Sequence, residues 1–173
     1  MKRILTIIMI ILACLAGCRA AGPRPPIELP FVIHQAGTSV STELRILEER
    51  EYPFMLKFMF RANDKADHER VRKLVGEYQK DRQGYFMKPG IQTPLKVTIN
   101  VIDSSGERLF LEKEYMTMGM YSGPAANFYD RKIDFIKLTP GLYRVTVQSL
   151  KSTPELMNTE VILGIYSRQH GKI

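Results

Sequence analysis

From Thr38 to Ile46 the chain alternates: Val40, Thr42, Leu44 and Ile46 face one way, and Ser41, Glu43 and Arg45 the other. A period of two is that of a strand with one face in water. Beyond Pro53, Phe54, Leu56, Phe58 and Phe60 share one face while Met55 and Met59 make the other nearly as apolar. That predicts a strand covered on both sides. Leu95, Val97, Ile99 and Val101 alternate with Lys96, Thr98 and Asn100. Asp103-Ser104-Ser105-Gly106 predicts a hairpin turn, and Leu109, Leu111 and Tyr115 return opposite. Ile133 and Phe135, then Tyr143, Val145 and Val147, then Val161, Leu163 and Ile165 mark three further strands. One segment has another period. Val71, Leu74, Val75 and Tyr78 fall at i, i+3, i+4 and i+7, behind a possible cap at Asn63 or Asp64. This predicts a helix from about 64 to 80, with Gly84 in the loop beyond it.

Seven period-two runs against one helical run predict a mainly β chain, an antiparallel β-sandwich with one inserted α-helix. Leu138-Thr139-Pro140-Gly141-Leu142-Tyr143 resembles the tyrosine corner of immunoglobulin-like and fibronectin-like sandwiches. That resemblance implies a bond from the Tyr143 hydroxyl to backbone upstream.

The N-terminus follows different rules. Lys2 and Arg3 precede the uncharged run Ile4 to Leu15, too short for a helix that must cross about 30 Å of hydrocarbon. It reads as the apolar core of a secretory signal. Leu15-Ala16-Gly17-Cys18 follows, and it resembles the lipobox of bacterial lipoproteins. The resemblance implies cleavage after residue 17 and a lipid on Cys18. Arg19 in the next position implies, by the same resemblance, sorting to the outer membrane. Four of the twelve residues from Arg19 to Pro30 are proline. Residues 18–30 thus read as a lipidated N-terminus and semi-rigid tether, reaching up to about 37 Å at ~3.1 Å per residue. Residues 31–173 remain for the sandwich domain.

Composition narrows the chemistry. The net charge is +7 and there are only two cysteines. Cys14 departs with the signal, so the mature chain keeps no thiol besides the lipidated one. A disulfide scaffold, a thiolate metal centre and a cysteine nucleophile are excluded. His34, His68 and His170 form no zinc-binding spacing, and Ser122-Gly123 lacks the first glycine of a nucleophile elbow. No glycine loop for phosphate is present. Glu112 and Glu114 share the wet face of a strand among basic residues, the pattern of a solvated surface. The basic stretch from Arg70 to Arg82 is interleaved with acids and lacks aromatics for base stacking, so nucleic acid is not an expected partner. Neither a metal nor another cofactor is expected.

One segment resists a purely local account. Met116 to Asn127, MTMGMYSGPAAN, is uncharged over twelve residues. Methionine suits adaptable contact surfaces and tyrosine suits binding hot spots. Met116, Met118, Met120 and Tyr121, with Phe128 and Tyr129 just beyond, are the candidate partner-binding residues. The competing reading folds this loop over the end of the sandwich to close the core.

In size, lipobox and sandwich pattern the chain resembles small proteobacterial lipoproteins of uncharacterised families. Some of these act as immunity proteins beside type VI secretion effectors. That implies a non-enzymatic, periplasm-facing module on the outer membrane, anchored by its lipid and binding another protein, with occlusion of a secreted toxin as one such role. The alternative is an envelope module that binds glycan or peptidoglycan through Tyr85, Phe86, Tyr121, Phe128 and Tyr129; the chain has no tryptophan for that purpose.

Overall fold

The structure, a computed structural model, describes residues 22–122 and 126–167. Among the described residues, eight strands and one α-helix follow in the order β1 (Ile27–Pro30), β2 (Ser39–Ile46), β3 (Arg50–Met59), α1 (Lys65–Val75), β4 (Thr93–Asp103), β5 (Gly106–Thr117), β6 (Phe128–Leu138), β7 (Gly141–Ser149) and β8 (Val161–Ile165). A single 3-10 turn, Pro154–Leu156, lies between β7 and β8. They form two four-stranded sheets, β1-β8-β3-β6 and β2-β7-β4-β5, with every pairing antiparallel.

The alternation places the core between the sheets. Phe54, Leu56 and Phe58 of β3 and Leu163 and Ile165 of β8 meet Leu44, Leu95, Val97, Ile99, Val145 and Val147 of the other sheet, all buried. β3 lies between β8 and β6; on its outer face Met55 is buried and Met59 half-buried, so the second face is only partly covered. The β4–β5 hairpin turns where its sequence predicts, with Gly106 at φ 119° and the Asp103 carboxylate accepting the Ser105 N–H at 2.8 Å. Tyr143 is buried and donates its hydroxyl to the Thr139 carbonyl at 3.0 Å, which is the corner bond.

Three expectations about boundaries are corrected. The helix ends at Val75, short of 80. Asp64 caps its start by accepting the Asp67 N–H at 2.9 Å. Gly76, at φ 90°, stops it well before Gly84, and Tyr78 is exposed instead of continuing the apolar stripe. The Cα of Gly76 crosses the 88–90 backbone so closely that a Cβ would lie 2.5 Å from the Lys88 carbonyl oxygen. A side chain there has no room, so the helix stops where two backbones cross.

An eighth strand is present as well. β1 falls inside the proline-rich stretch read as tether. It is an edge strand paired only to β8, and Pro30 sits at its end, where a missing N–H is tolerated. Gly22 is buried against Leu142, and the Pro23 carbonyl accepts the Arg45 N–H at 2.8 Å. Residues 22–30 therefore belong to the sandwich rather than to a free stalk.

Candidate functional site

β5 and β6 are the last strands of their sheets on the same side of the sandwich, and the connection between them carries the methionine-rich segment. Thr117 ends β5 with its hydroxyl donated to the buried Thr93 carbonyl at 3.0 Å. The chain then turns at Gly119, φ 66°, whose N–H donates to the Pro89 carbonyl at 2.7 Å. Farther on, the Tyr121 N–H donates to the Asp130 carbonyl at 2.9 Å. The Asp130 carboxylate accepts from the Ser122 N–H and hydroxyl at 3.0 and 2.8 Å. Loop 118–122 is thus latched to β6 on one side and to the 89–91 segment on the other.

Opposite lies a small hairpin from the connection between α1 and β4. The Met87 N–H donates to the Gln79 carbonyl and the Asp81 N–H to the Tyr85 carbonyl, while the Asp81 carboxylate accepts the N–H groups of Gln83 and Tyr85. This hairpin lays the Phe86 ring directly on Gly119, and Lys80 stands 4.6 Å from the centre of that ring. Between hairpin and loop a groove of about 360 Å³ opens, lined by Met116, Met118, Met120 and Tyr121 on one side, Tyr78, Lys80 and Phe86 on the other, and Lys132 and Ile133 of β6.

The candidate residues divide within this geometry. Met116 is 52% exposed and Tyr121 39%, with the Tyr121 ring edge-on to Phe135 at 6.0 Å. Met118 is half-buried, and Met120, 4% exposed, is core and forms the floor. Met120 thus closes the core, as the lid reading has it, while Met116 and Tyr121 face solvent. Phe128 and Tyr129 are not brought to the groove. Phe128 lies under Lys57, whose ammonium is 4.4 Å from the ring centre. Tyr129 is buried, its hydroxyl 2.7 Å from His68 Nε2 and its ring packed with Phe60. As a period-two residue on the inner face of β6 it seals α1 to the sheet, so it is withdrawn from any contact surface. Burial raises its phenol pKa above the ordinary value. Cys18, His170 and residues 123–125 lie outside the described residues.

The residue that holds the groove's frame is one that sequence reasoning passed over. Arg131, 1% exposed, inserts its guanidinium where α1, the 89–93 segment and the end of β5 meet. Its Nη2 donates to the Val75 carbonyl at 2.5 Å and its Nη1 to the Ile91 carbonyl at 2.8 Å. Weaker contacts reach Leu74, Thr93 and Thr117. A cation at the C-terminus of α1 also meets the negative end of the helix dipole. Desolvation pulls its pKa down to about 9, which leaves it protonated at neutral pH. The available signal was its register, since Tyr129, Arg131 and Ile133 alternate on β6 and would share one face.

A larger cleft of about 450 Å³ lies at the start of α1. Three of its charges, Arg61, Asp67 and Arg70, are engaged with each other. Asp67 accepts the Arg61 N–H at 2.7 Å and Arg70 Nε at 2.9 Å, and these bonds hold its carboxyl below the usual aspartate range. Arg70 goes on to Thr159 Oγ1 and the Asn158 carbonyl, both at 3.0 Å, which ties the helix to the segment before β8. Among the described residues no group of three or more His, Cys, Asp or Glu is placed to hold a metal ion.

Fold and site together define a β-sandwich domain with a helix and hairpin inserted after β3 and a groove lined by methionines, aromatic rings and two lysines along the β5–β6 edge. The chain belongs to the family described as a domain of unknown function, DUF5625, whose model matches residues 28–167, from β1 to just past β8. It is also similar to a solved protein, GEBA250068378 from Sulfurospirillum deleyianum. The two share 26% identity and superpose with a TM-score of 0.69, over 84% of this chain and 98% of the other. No curated protein matches the chain.

Proposed function

We propose that this protein is a lipoprotein of the bacterial envelope, anchored by Cys18 at the outer membrane, and that it binds another protein through the β5–β6 groove without catalysing a reaction. The observation that carries this reading is the groove itself. Three thioethers and the Tyr121, Tyr78 and Phe86 rings converge on about 360 Å³, on a frame set by Arg131 and Gly119. Flexible thioethers and rigid aromatic rings suit an adaptable apolar contact. Lys80 and Lys132 border it, so the occupant that fits is an apolar segment of a protein flanked by carboxylates. Covering a secreted toxin in the periplasm, as an immunity protein does, is the particular role this reading favours, because occlusion needs surface complementarity alone.

The test is site-specific photo-crosslinking in living cells. A photoreactive residue at Met116 is expected to trap a discrete protein adduct, and the same group at Leu47, remote from the groove, is not. Absence of any protein adduct at Met116, together with retention of the purified domain on isolated peptidoglycan, would replace this reading with glycan binding.

A further inference from the structure

A lipid on Cys18 would hold the sandwich close to its membrane. Gly22 is fixed to the sandwich: a Cβ there would meet Leu142 Cδ1 at 2.9 Å and Glu43 Cβ at 3.5 Å. Only three residues separate it from Cys18. A chain extends at most ~3.3–3.6 Å per residue, so the lipidated residue lies within about 14 Å of Gly22. This is far less than the reach of a stalk running to residue 30.

The attachment point is at one corner. Leu142 and Arg45 are close to the start of β7 and the end of β2, at the end of the sandwich that also carries the loops around 47–49, 104–105 and 139–140. At this end Leu47 is 52% exposed. Arg24 and Arg45 are exposed beside the attachment point, as are Glu48 and Glu49, which pair with Arg50 and Lys137. The opposite end carries the exposed Met157, beyond nine-residue β7, which alone spans about 26 Å. β2 and β5 are the two outer strands of their sheet, separated by three strand spacings of roughly 5 Å each. The groove, at the far end of β5, is therefore diagonally opposite the corner where the chain leaves.

We propose that the Gly22 end of the sandwich rests on the bilayer surface, with Leu47, Arg24 and Arg45 against the lipid headgroups. The β5–β6 groove is then presented on the water side, to a soluble partner rather than to one embedded in the membrane. This rests on lipidation at Cys18. The short leash supplies the proximity. The exposed Leu47 and the Arg24 and Arg45 cations meet the headgroups, while the neighbouring Glu48 and Glu49 carboxylates are paired with Arg50 and Lys137.

The acylated full-length protein, reconstituted in phosphatidylethanolamine–phosphatidylglycerol vesicles, tests it. The mature chain offers no other free thiol, so Leu47→Cys and Met157→Cys each accept one fluorophore. A lipid carrying a headgroup nitroxide is expected to quench the probe at 47 several-fold more strongly than the probe at 157. Vesicle attachment with equal quenching at the two positions, or stronger quenching at 157, overturns the orientation and leaves the anchor standing. Failure of the protein to attach to vesicles overturns both the anchor and the orientation built on it.

Discussion

Gly119→Ala probes the groove's construction at a single atom. Two costs are legible in the structure. At φ 66° the backbone of Gly119 is left-handed, where a side chain costs roughly 1–2 kcal/mol. The added Cβ would also lie 2.4 Å from two carbons of the Phe86 ring, well inside the ordinary contact distance of about 3.5–4.0 Å. The ring must retreat by an ångström or more, which strains the 79–87 hairpin or drives Phe86 into water. An overpacking cost of about 1–3 kcal/mol adds to the backbone term, so the total is about 2–5 kcal/mol in urea unfolding. Phe86→Ala in the same chain removes the clash and leaves the backbone cost. The two substitutions should therefore couple favourably by about 1–3 kcal/mol, the overpacking cost, in a double-mutant cycle. An unchanged midpoint in Gly119→Ala, or strict additivity with Phe86→Ala, would refute the packing of hairpin on loop that defines the groove.

Other consequences are independent of the groove. Tyr143→Phe removes the hydroxyl bond to Thr139 and should lower stability by about 0.5–1.5 kcal/mol in the same assay; an unaltered midpoint removes the corner. Asp67 has its pKa depressed by the Arg61 backbone and the Arg70 side chain. Its ionised form thus stabilises the fold above the unfolded-state value, about 3.9, and that stabilisation is lost as pH falls through the lower folded-state value. Asp67→Asn should flatten the acid limb of the stability–pH curve below about pH 4 while shifting the neutral plateau down; an acid limb of wild-type slope would contradict the assignment. Labelled palmitate should enter the wild-type chain and not Cys18→Ser, and equal labelling would remove the lipobox assignment.

The strands were legible because their side chains sort by solvent. From Thr93 to Ile99 in β4 and from Tyr143 to Ser149 in β7 every second residue is buried, and the sequence alternates accordingly. The Tyr143 corner was legible because a Pro-Gly turn precedes it by a fixed step. The end of α1 was not, since Tyr78 fits the apolar period. What stops the helix is the crossing of Gly76 with the 88–90 backbone, a contact between segments more than ten residues apart. β1 was hidden by its prolines, which local rules assign to a tether and an edge strand accommodates equally well. The methionine segment announced itself by lacking charge. Phe86 was noticed only as an aromatic, and its place against Gly119 follows from the hairpin's docking. Arg131 shows the limit most plainly. A charge in an inward register position reads as a solvated residue until the carbonyls of Val75 and Ile91 are placed around it.

We propose above that the face formed by Met116, Met118 and Tyr121 is the contact surface for a protein partner. Tyr121→Ala tests it most directly when unfolding and partner affinity are measured on the same sample. Tyr121 is 39% exposed and touches Phe135 by its ring edge, so its loss should leave the unfolding midpoint nearly unchanged. It should weaken binding of the partner captured at Met116 by about 1–2 kcal/mol or more, as hot-spot tyrosines do. A fall in stability of a few kcal/mol with unchanged affinity per folded molecule would contradict the account and make Tyr121 a lid over the core.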